Sequence, residues 1–432
     1  MHARWDHVNA SEEGLTEQSQ DKTAPMGLMF FHAKEGQPLS TPWQVATARS
    51  VMLAERSLAE GFLLDCACGS GLQLAAHASV LKRPMIGIEL DPQRAQATAK
   101  NLQIVANHSR SLHAPWFEQS VVISGDGTHP KGALEVGGIE LENPIALLHL
   151  DPARPRNSRT HGLEEMAPRL DDVFAAWAPY FAPHPRGPGL LLDLSPRLTP
   201  LQQKEVEGLV DAVWPNVERT WVWTSRGRGR VDRLALWLGT ASKQGIARQF
   251  VRIPPTLGTQ PMVLEASLEG LEEHQKINTL VHPPKRGEYV SILDAALLES
   301  GLMGVWLSRV SKEPMNRWAS VEGRRPQLHH DKRLRLDGYD DEMLVQATGR
   351  VVELIRDPLD ETGIDRIVEI AIENNMSAVT LRLNITPELH PRMQGSLDRQ
   401  LARRHGGREG FLARHPIEDV LLLCVCESDS KN

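Results

Sequence analysis

From Phe62 to Asp91 the chain reads FLLDCACGSGLQLAAHASVLKRPMIGIELD, and its apolar positions fall into three blocks. A short continuous run, Phe62 to Leu64, stops at Asp65. A run of leucines and alanines from Leu72 to Leu81 follows, and a second continuous run, Met85 to Ile88, is closed by Glu89. Short apolar runs bounded by turn residues predict strands buried on both faces, and the longer block between them predicts a helix. The stretch therefore predicts half of a nucleotide-binding βαβ unit.

The same rhythm continues downstream. DPQRAQATAKNLQIVANH predicts a helix with an acidic, Pro-marked start, and Val121 to Ile123 a third strand running into Gly125-Asp126-Gly127. Ile145 to Leu150 predicts a fourth strand, ending in Asp151-Pro152-Ala153-Arg154, with His149 read as a core histidine. A helical segment spans about Leu163 to Tyr180, LLLDLSPRLTP supplies a fifth strand, and Pro200 opens another helix. Thr220 to Ser225 and Arg233 to Leu238, joined by RGRGRVD, predict an antiparallel hairpin. Upstream, Ser40 or Thr41 caps a helix with Pro42 at its first position and apolar residues at Val45, Ala48, Met52 and Leu53. That helix either lines a ligand cleft or simply packs. The sum is an α/β domain with a Rossmann-like seven-stranded sheet, over residues 26–252.

The flanks differ. Residues 1–25, including SEEGLTEQSQDKTAP, lack periodicity and predict a disordered lead. Residues 253–281 begin with IPPTLGTQPMVLE and predict a linker. Residues 282–432 predict a smaller α+β module: a turn then a helix from His282, and a loop over residues 322–341. Strands are predicted at Val351 to Ile355, Ser377 to Leu383 and Val420 to Cys426, with helices at Ile364 to Glu373 and Pro391 to Arg404.

Composition narrows the class. The 432 residues give ample core, and 41% apolar with 24% charged residues is ordinary for a soluble protein. A net charge of −7 argues against indiscriminate coating of nucleic acid, while leaving room for a local basic patch. Four cysteines make no disulfide framework, which predicts a reducing, cytoplasmic setting. No apolar run approaches about 18 residues and no signal-peptide pattern opens the chain, so neither a membrane nor an export role is expected.

The chemistry points to a cofactor. Gly69 and Gly71 permit a tight turn and close approach to a ligand, and the amides opening the next helix suit a carboxylate or phosphate. Glu89, eighteen residues after Gly71, is placed for ribose hydroxyls. The loop has G-S-G without the third glycine of G-x-G-x-x-G, and Asp65 stands where a dinucleotide enzyme runs straight into glycine. This stretch resembles motif I, D-x-x-C-G-S-G, of class I S-adenosylmethionine (SAM)-dependent methyltransferases. The alternative is a βαβ unit for another metabolite.

More of the chain follows that pattern. Thr41-Pro42-Trp43-Gln44-Val45-Ala46 with Arg49 matches T-P-x-x-V-A-x-x-R, and Asp151 to Arg154 matches D-P-A-R after strand four. Leu194-Ser195-Pro196 matches the L-S-P element, and Trp223-Thr224-Ser225 with Leu236-Trp237-Leu238-Gly239 matches the W-x-S…L-W-L-G hairpin. The whole resembles SAM-dependent methyltransferases that carry a C-terminal THUMP-like domain, with the module from about His282 to Glu427 as its diverged counterpart.

The resemblance implies a cofactor site of Asp65, Ala67, Cys68, Gly69, Gly71, Glu89, Leu90, Asp126 and Gly127. Asp126 would serve the adenine amine, or else belong to a plain Gly-Asp-Gly turn. Asp151, Pro152 and Arg154 are left on the acceptor side, and Arg154, Arg156 and Arg159 either meet a phosphate or are surface arginines. It also implies RNA as the substrate, with the C-terminal module assisting. The alternatives are a small-molecule or protein acceptor, or a SAM- or RNA-binding protein without catalysis.

Two departures bear on this. Leu381-Arg382-Leu383-Asn384 stands where a K-K-R-G-type stretch is expected, and an insertion around residues 300–345 carries Arg324, Arg325, Lys332, Arg333 and Arg335. That cluster is either a solvated loop or an RNA contact. Ala153-Arg154 replaces the proline-aromatic pair that stacks a flipped base in amino-base methylation. No metal is expected: Cys66/Cys68 belong to the glycine loop and Cys424/Cys426 alternate along a strand, so a four-thiolate zinc site is set aside.

Overall fold

The computed structural model describes residues 5–17, 21–33, 41–140, 142–155, 162–227, 231–274, 277–311, 317–320, 325–402 and 407–427. The chain forms two compact units, one of residues 1–224 and 232–265, the other of residues 225–231 and 266–432.

The first unit holds β1 (Asp6–His7), β2 (Thr16–Glu17), β3 (Phe31–His32), α1 (Trp43–Ala54), β4 (Phe62–Asp65), α2 (Leu72–Leu81) and β5 (Met85–Glu89). It continues with α3 (Pro92–His108), α4 (Pro115–Glu118), β6 (Val121–Ser124), α5 (Pro130–Val136), β7 (Ile145–Leu150), α6 (Leu170–Trp177), β8 (Gly189–Leu194) and α7 (Pro200–Val213). Then come β9 (Arg219–Ser225), β10 (Arg233–Leu238), β11 (Arg248–Arg252) and β12 (Met262–Ala266). Sheet order is β1-β6-β5-β4-β7-β8-β10-β9-β11-β12. The seven strands from β6 to β9 are those expected from sequence. β4 to β8 pair in parallel, and β10 runs antiparallel to both β8 and β9.

Every residue of β5, β7 and β8 is buried, as continuous apolar runs between two helical layers require. Helix starts obey their local chemistry. The Asp91 carboxylate accepts from the Gln93 and Arg94 amides ahead of Pro92, and Thr199 and Gln202 form a capping box ahead of Pro200. At α1 the expected cap is absent: Pro42 occupies the N-cap without a side-chain bond, and Thr41 is used elsewhere. Ser40 lies outside the described residues.

Three strands lengthen the expected seven to ten, and two of the predicted boundaries move with them. Within the lead predicted to be disordered, β1 pairs with β6, and Ala24 is buried in the core with the nearby Leu28 and Phe30. Isolated apolar residues in polar text, docked on a finished sheet edge, leave no periodic signal. Residues 253–281, predicted as a linker, contain β12, with Met262, Leu264 and Ala266 buried, and the helix α8 (Leu268–His274).

The second unit adds β13 (Asn278–Thr279), β14 (Tyr289–Leu293), α9 (Ala295–Glu299), α10 (Met303–Val310), β15 (Arg317–Ser320), β16 (Gln327–His330) and α11 (Tyr339–Glu342). β17 (Val345–Ile355), α12 (Glu361–Glu373), β18 (Met376–Leu381), α13 (Leu389–Leu401), β19 (Arg408–Arg414) and β20 (Leu421–Val425) follow. Its sheet runs β13-β15-β16-β14-β17-β20-β19-β18. The predicted α+β character holds, but β16 falls inside the predicted loop. Its Gln327, His329 and His330 are buried through hydrogen bonds, such as Gln327 Nε2 to the Arg414 carbonyl at 2.6 Å and His330 to Ser291 at 2.9 Å. Hydropathy does not mark such a strand.

In the predicted cluster of the insertion, Arg325 donates to the Leu383 carbonyl (2.8 Å) and Arg333 to the Glu427 carbonyl (2.8 Å). Arg324 lies outside the described residues.

Candidate active site

The glycine loop is held from four sides. Asp65, ending β4, accepts the Ala67 amide at 3.0 Å, and the Cys68 amide donates to the Ile88 carbonyl at 3.1 Å. The Gly69 amide donates to Glu89 Oε2 at 2.8 Å, and Asn101 Nδ2 donates to the Ser70 carbonyl at 2.8 Å. Gly71 has φ +71°, and a Cβ there would meet Thr98 Cγ2 at 2.5 Å, so only glycine fits the turn into α2. Glu89 also accepts the Asp91 amide at 3.1 Å. Burial raises its pKa, while the Asp91 and Gly69 amides pull the other way.

Asp126 and Gly127 adjoin this loop. A Cβ on Gly127 would overlap the Cys66 carbonyl, and the Gly127 carbonyl accepts from buried Trp177 Nε1 at 2.7 Å. Asp126 accepts from the Thr128 amide (2.9 Å) and hydroxyl (2.8 Å), and its side chain stays 40% exposed. Leu90, between the Glu89 and Asp91 positions, is 74% exposed. Asp65, Ala67, Cys68, Gly69, Gly71, Glu89, Leu90, Asp126 and Gly127 are thus gathered along the carboxyl ends of β4, β5 and β6, where such sheets bind ligands. Burial, and then the Asp65 charge, push the Cys66 and Cys68 thiols well up, so neither is a thiolate.

Behind the loop lies a buried charge cluster. His149 bonds through Nδ1 to Asp65 Oδ2 (2.7 Å) and through Nε2 to Asp193 Oδ2 (3.2 Å). Asp193 takes both ends of the Arg49 guanidinium, at 2.7 and 2.5 Å. Arg49 also donates to Gln73 Oε1 (3.1 Å), Gln73 Nε2 reaches His77 Nε2 (3.1 Å), and His77 Nδ1 meets Ser50 Oγ (2.9 Å). Arg49, Asp65, His149 and Asp193 are each at most 3% exposed.

Burial alone would neutralise His149, but the Asp65 and Asp193 carboxylates outweigh it and lift its pKa to about 9. Burial likewise opposes the Asp193 charge, yet Arg49 and His149 hold its pKa below the usual carboxylate range. His77, burdened by burial and by the nearby His149 and Arg49 charges, stays neutral. Two cations and two anions therefore balance inside the core. His149 is a core histidine, as expected, but a charged one.

At the end of the next strand, Asp151 follows β7 directly and accepts from Arg233 Nη1 at 3.1 Å. Arg233 Nη2 donates to Thr41 Oγ1 at 2.8 Å, which is where the expected helix cap is spent. Burial raises the Asp151 pKa despite Arg233, and the Asp193 charge adds to the rise. Pro152 is buried, and Ala153 is fixed by a two-way backbone bridge to Ala167 (2.9 and 3.0 Å). Among the described residues, Arg154 Nε and Nη2 are buried and have no hydrogen-bond partner, and burial lowers its pKa while the Asp151 and Glu165 charges oppose the shift. Arg156 and Arg159 lie outside the described residues.

Sequence reasoning missed Asp193, Arg233, Gln73 and His77. The available signal was a charged or imidazole residue inside a wholly apolar strand, LLHL and LLLDL, which predicts a buried partner without naming it.

No family model and no curated protein matches the chain. Among solved structures it is similar to a "putative methyltransferase" from Porphyromonas gingivalis W83, at 15% identity over 92% of this chain and 83% of that one, with a TM-score of 0.54. It is also similar to the rRNA methyltransferase aviRa from Streptomyces viridochromogenes (18% identity, 52% of this chain, 94% of that one, TM-score 0.33). A SAM-dependent methyltransferase from Aquifex aeolicus matches at 12% identity over 47% of this chain and 96% of that one, with a TM-score of 0.30. Strand order and the first of these similarities define the fold: a Rossmann-like methyltransferase sheet with a smaller α+β unit after it.

Proposed function

We propose that the chain is a SAM-dependent methyltransferase acting on RNA. The observation that carries the cofactor reading is the convergence of Asp65, Glu89 and Asp126 on one glycine loop at three adjacent strand ends. The cradle fits the group: nothing lies within 4 Å of a Cβ built on Gly69, and Asp126 remains accessible. In this reading the glycine loop and Asp65 surround the methionine end, Glu89 serves the ribose hydroxyls, and Asp126, Gly127 and Leu90 the base.

The bound cofactor would supply an electrophilic methyl group on a sulfonium. The chain's own part is to position and to accept charge. Asp151, with its raised pKa, takes a hydrogen bond or proton from the acceptor as the nucleophile forms its new bond to carbon. Arg233 orients that carboxylate. Pro152 and the Ala153–Ala167 bridge fix the backbone, and Arg154 offers its guanidinium to a phosphate. The RNA assignment rests on that guanidinium and on the resemblance to THUMP-bearing methyltransferases, with the second unit as substrate holder in the cytoplasm.

Two measurements test this. Calorimetry on the full chain should show SAM binding, and Glu89→Ala should weaken it by about 1–3 kcal/mol. Unchanged affinity would remove Glu89 from the site. Nucleoside mass spectrometry of total RNA from cells with and without the protein should reveal a methylated nucleoside that disappears with it. Identical profiles would leave the acceptor to small molecules or proteins.

A further inference from the structure

We propose that Trp5 forms a wall of the subsite for the cofactor's purine base, so that the N-terminal segment completes the pocket from outside the parallel sheet. The inference rests on the cofactor reading above. Asp6 pairs opposite Ser124 and His7 opposite Ile123, which sets Trp5 level with Gly125, just past the carboxyl end of β6. Ligands of such sheets lie at that end.

The indole lies against Gly125 and Gly132, on either side of Asp126 in the chain. A Cβ on Gly125 would overlap its benzo ring, and one on Gly132 would come within 3.0 Å of Cε2 and Nε1. The His129 ring meets it edge-on, with centroids 6.3 Å apart. Two glycines seven positions apart thus make room for one side chain. The ring is nonetheless only partly buried, so part of it stays open to solvent.

The segment is anchored so that the ring stays in place. The Val8 amide donates to the Val122 carbonyl (2.9 Å), Glu12 pairs with Lys100 (2.7 Å), and Gln96 donates to the Glu13 carbonyl (3.0 Å). Gln96 and Lys100 belong to α3, the helix that starts two residues after the exposed Leu90. The strap therefore ties together the two sequence regions, Leu90 and Asp126, assigned to the base. A flat aromatic face beside an accessible carboxylate suits a purine with an exocyclic amine: the ring stacks, and Asp126 accepts from the amine. Stacking of this kind tolerates any base, so selection among purines falls to Asp126.

Calorimetry on the full chain with S-adenosylhomocysteine and with 5′-methylthioadenosine, which keeps the base but lacks the amino-acid end, tests this. Trp5→Ala should weaken both ligands by the same factor, tenfold or more, and Trp5→Phe should stay within threefold of wild type. Gly132→Val, which displaces the ring, should reproduce the loss. If wild type binds both ligands and Trp5→Ala binds them equally well, the inference fails while the cofactor reading stands. A reduced fraction of competent protein with unchanged Kd would mark a packing role and also overturn it. No binding by wild type would overturn the cofactor reading itself, and this inference with it.

Discussion

Arg49→Met should lower the free energy of unfolding by about 3–5 kcal/mol at pH 7, as expected when one member of a buried ion pair is removed. The variant keeps the volume of the side-chain stem but leaves Asp193 without its bidentate partner, at 1% exposure. The cluster then holds two carboxylates against one imidazolium, at positions buried from solvent. Asp193→Leu alone should cost a similar amount for the opposite reason, since Arg49 and His149 would then face only Asp65. The double variant Arg49→Met, Asp193→Leu should be less damaging than the two losses added, because it removes opposite charges together. Urea unfolding of the full chain followed by near-UV circular dichroism reads all three. A loss below about 1 kcal/mol for Arg49→Met would be the size of a surface pair and would contradict the cluster.

The same cluster fixes a pH dependence. His149 has a folded pKa of about 9 against an ordinary value of 6.5, so its contribution is fully present below pH 6.5. It is lost as pH rises from there through about 9. Asp193 has the opposite sign: its contribution is present above the ordinary 3.8 and is lost as the medium becomes more acid. Stability should therefore fall on the alkaline side by on the order of 2–3 kcal/mol between pH 6.5 and 9.5. His149→Gln should flatten that alkaline slope even though it destabilises the protein at neutral pH.

What could be read from the chain divides by how each residue's partners are supplied. The central strands were legible because Leu63–Leu64, Met85–Ile88 and Ile145–Leu150 are buried on both faces, so each states its own environment. The placing of three acids together at the strand ends was legible for a related reason. Asp65, Glu89 and Asp126 each terminate an apolar run, and parallel topology brings such ends together. The outer strands β1, β11 and β12 were not legible, because they take their order from a neighbour already formed. Nor was the link from Asp151 through Arg233 to Thr41, which joins residues 82 and 192 positions apart. No local pattern encodes a contact of that kind. His149 shows the boundary between the two cases: its burial was predictable from LLHLD, while its charge depends on Asp65 and Asp193, supplied by the strands on either side.

Asp151→Ala should leave cofactor affinity within about threefold of wild type and lower methyl transfer by about 10²–10⁴-fold. The carboxylate stands at the end of β7, one strand beyond the Asp65 loop, and none of its described hydrogen bonds reaches that loop. Its partner is Arg233, and its raised pKa suits a group that receives a proton. A hydrogen-bond acceptor needed only as the nucleophile approaches lowers kcat without weakening ground-state cofactor binding. Labelled methyl transfer from SAM to RNA from cells lacking the protein gives the rate, and calorimetry with S-adenosylhomocysteine gives the affinity. Asp151→Asn separates charge from shape. It can still accept a hydrogen bond from Arg233, so the fold should persist while the proton acceptor is gone. If Asp151 serves only to hold Arg233 and Thr41 together, Asp151→Asn should retain most of the activity, and Asp151→Ala should lose melting temperature and cofactor affinity together. Retained turnover in both variants would remove Asp151 from the chemistry.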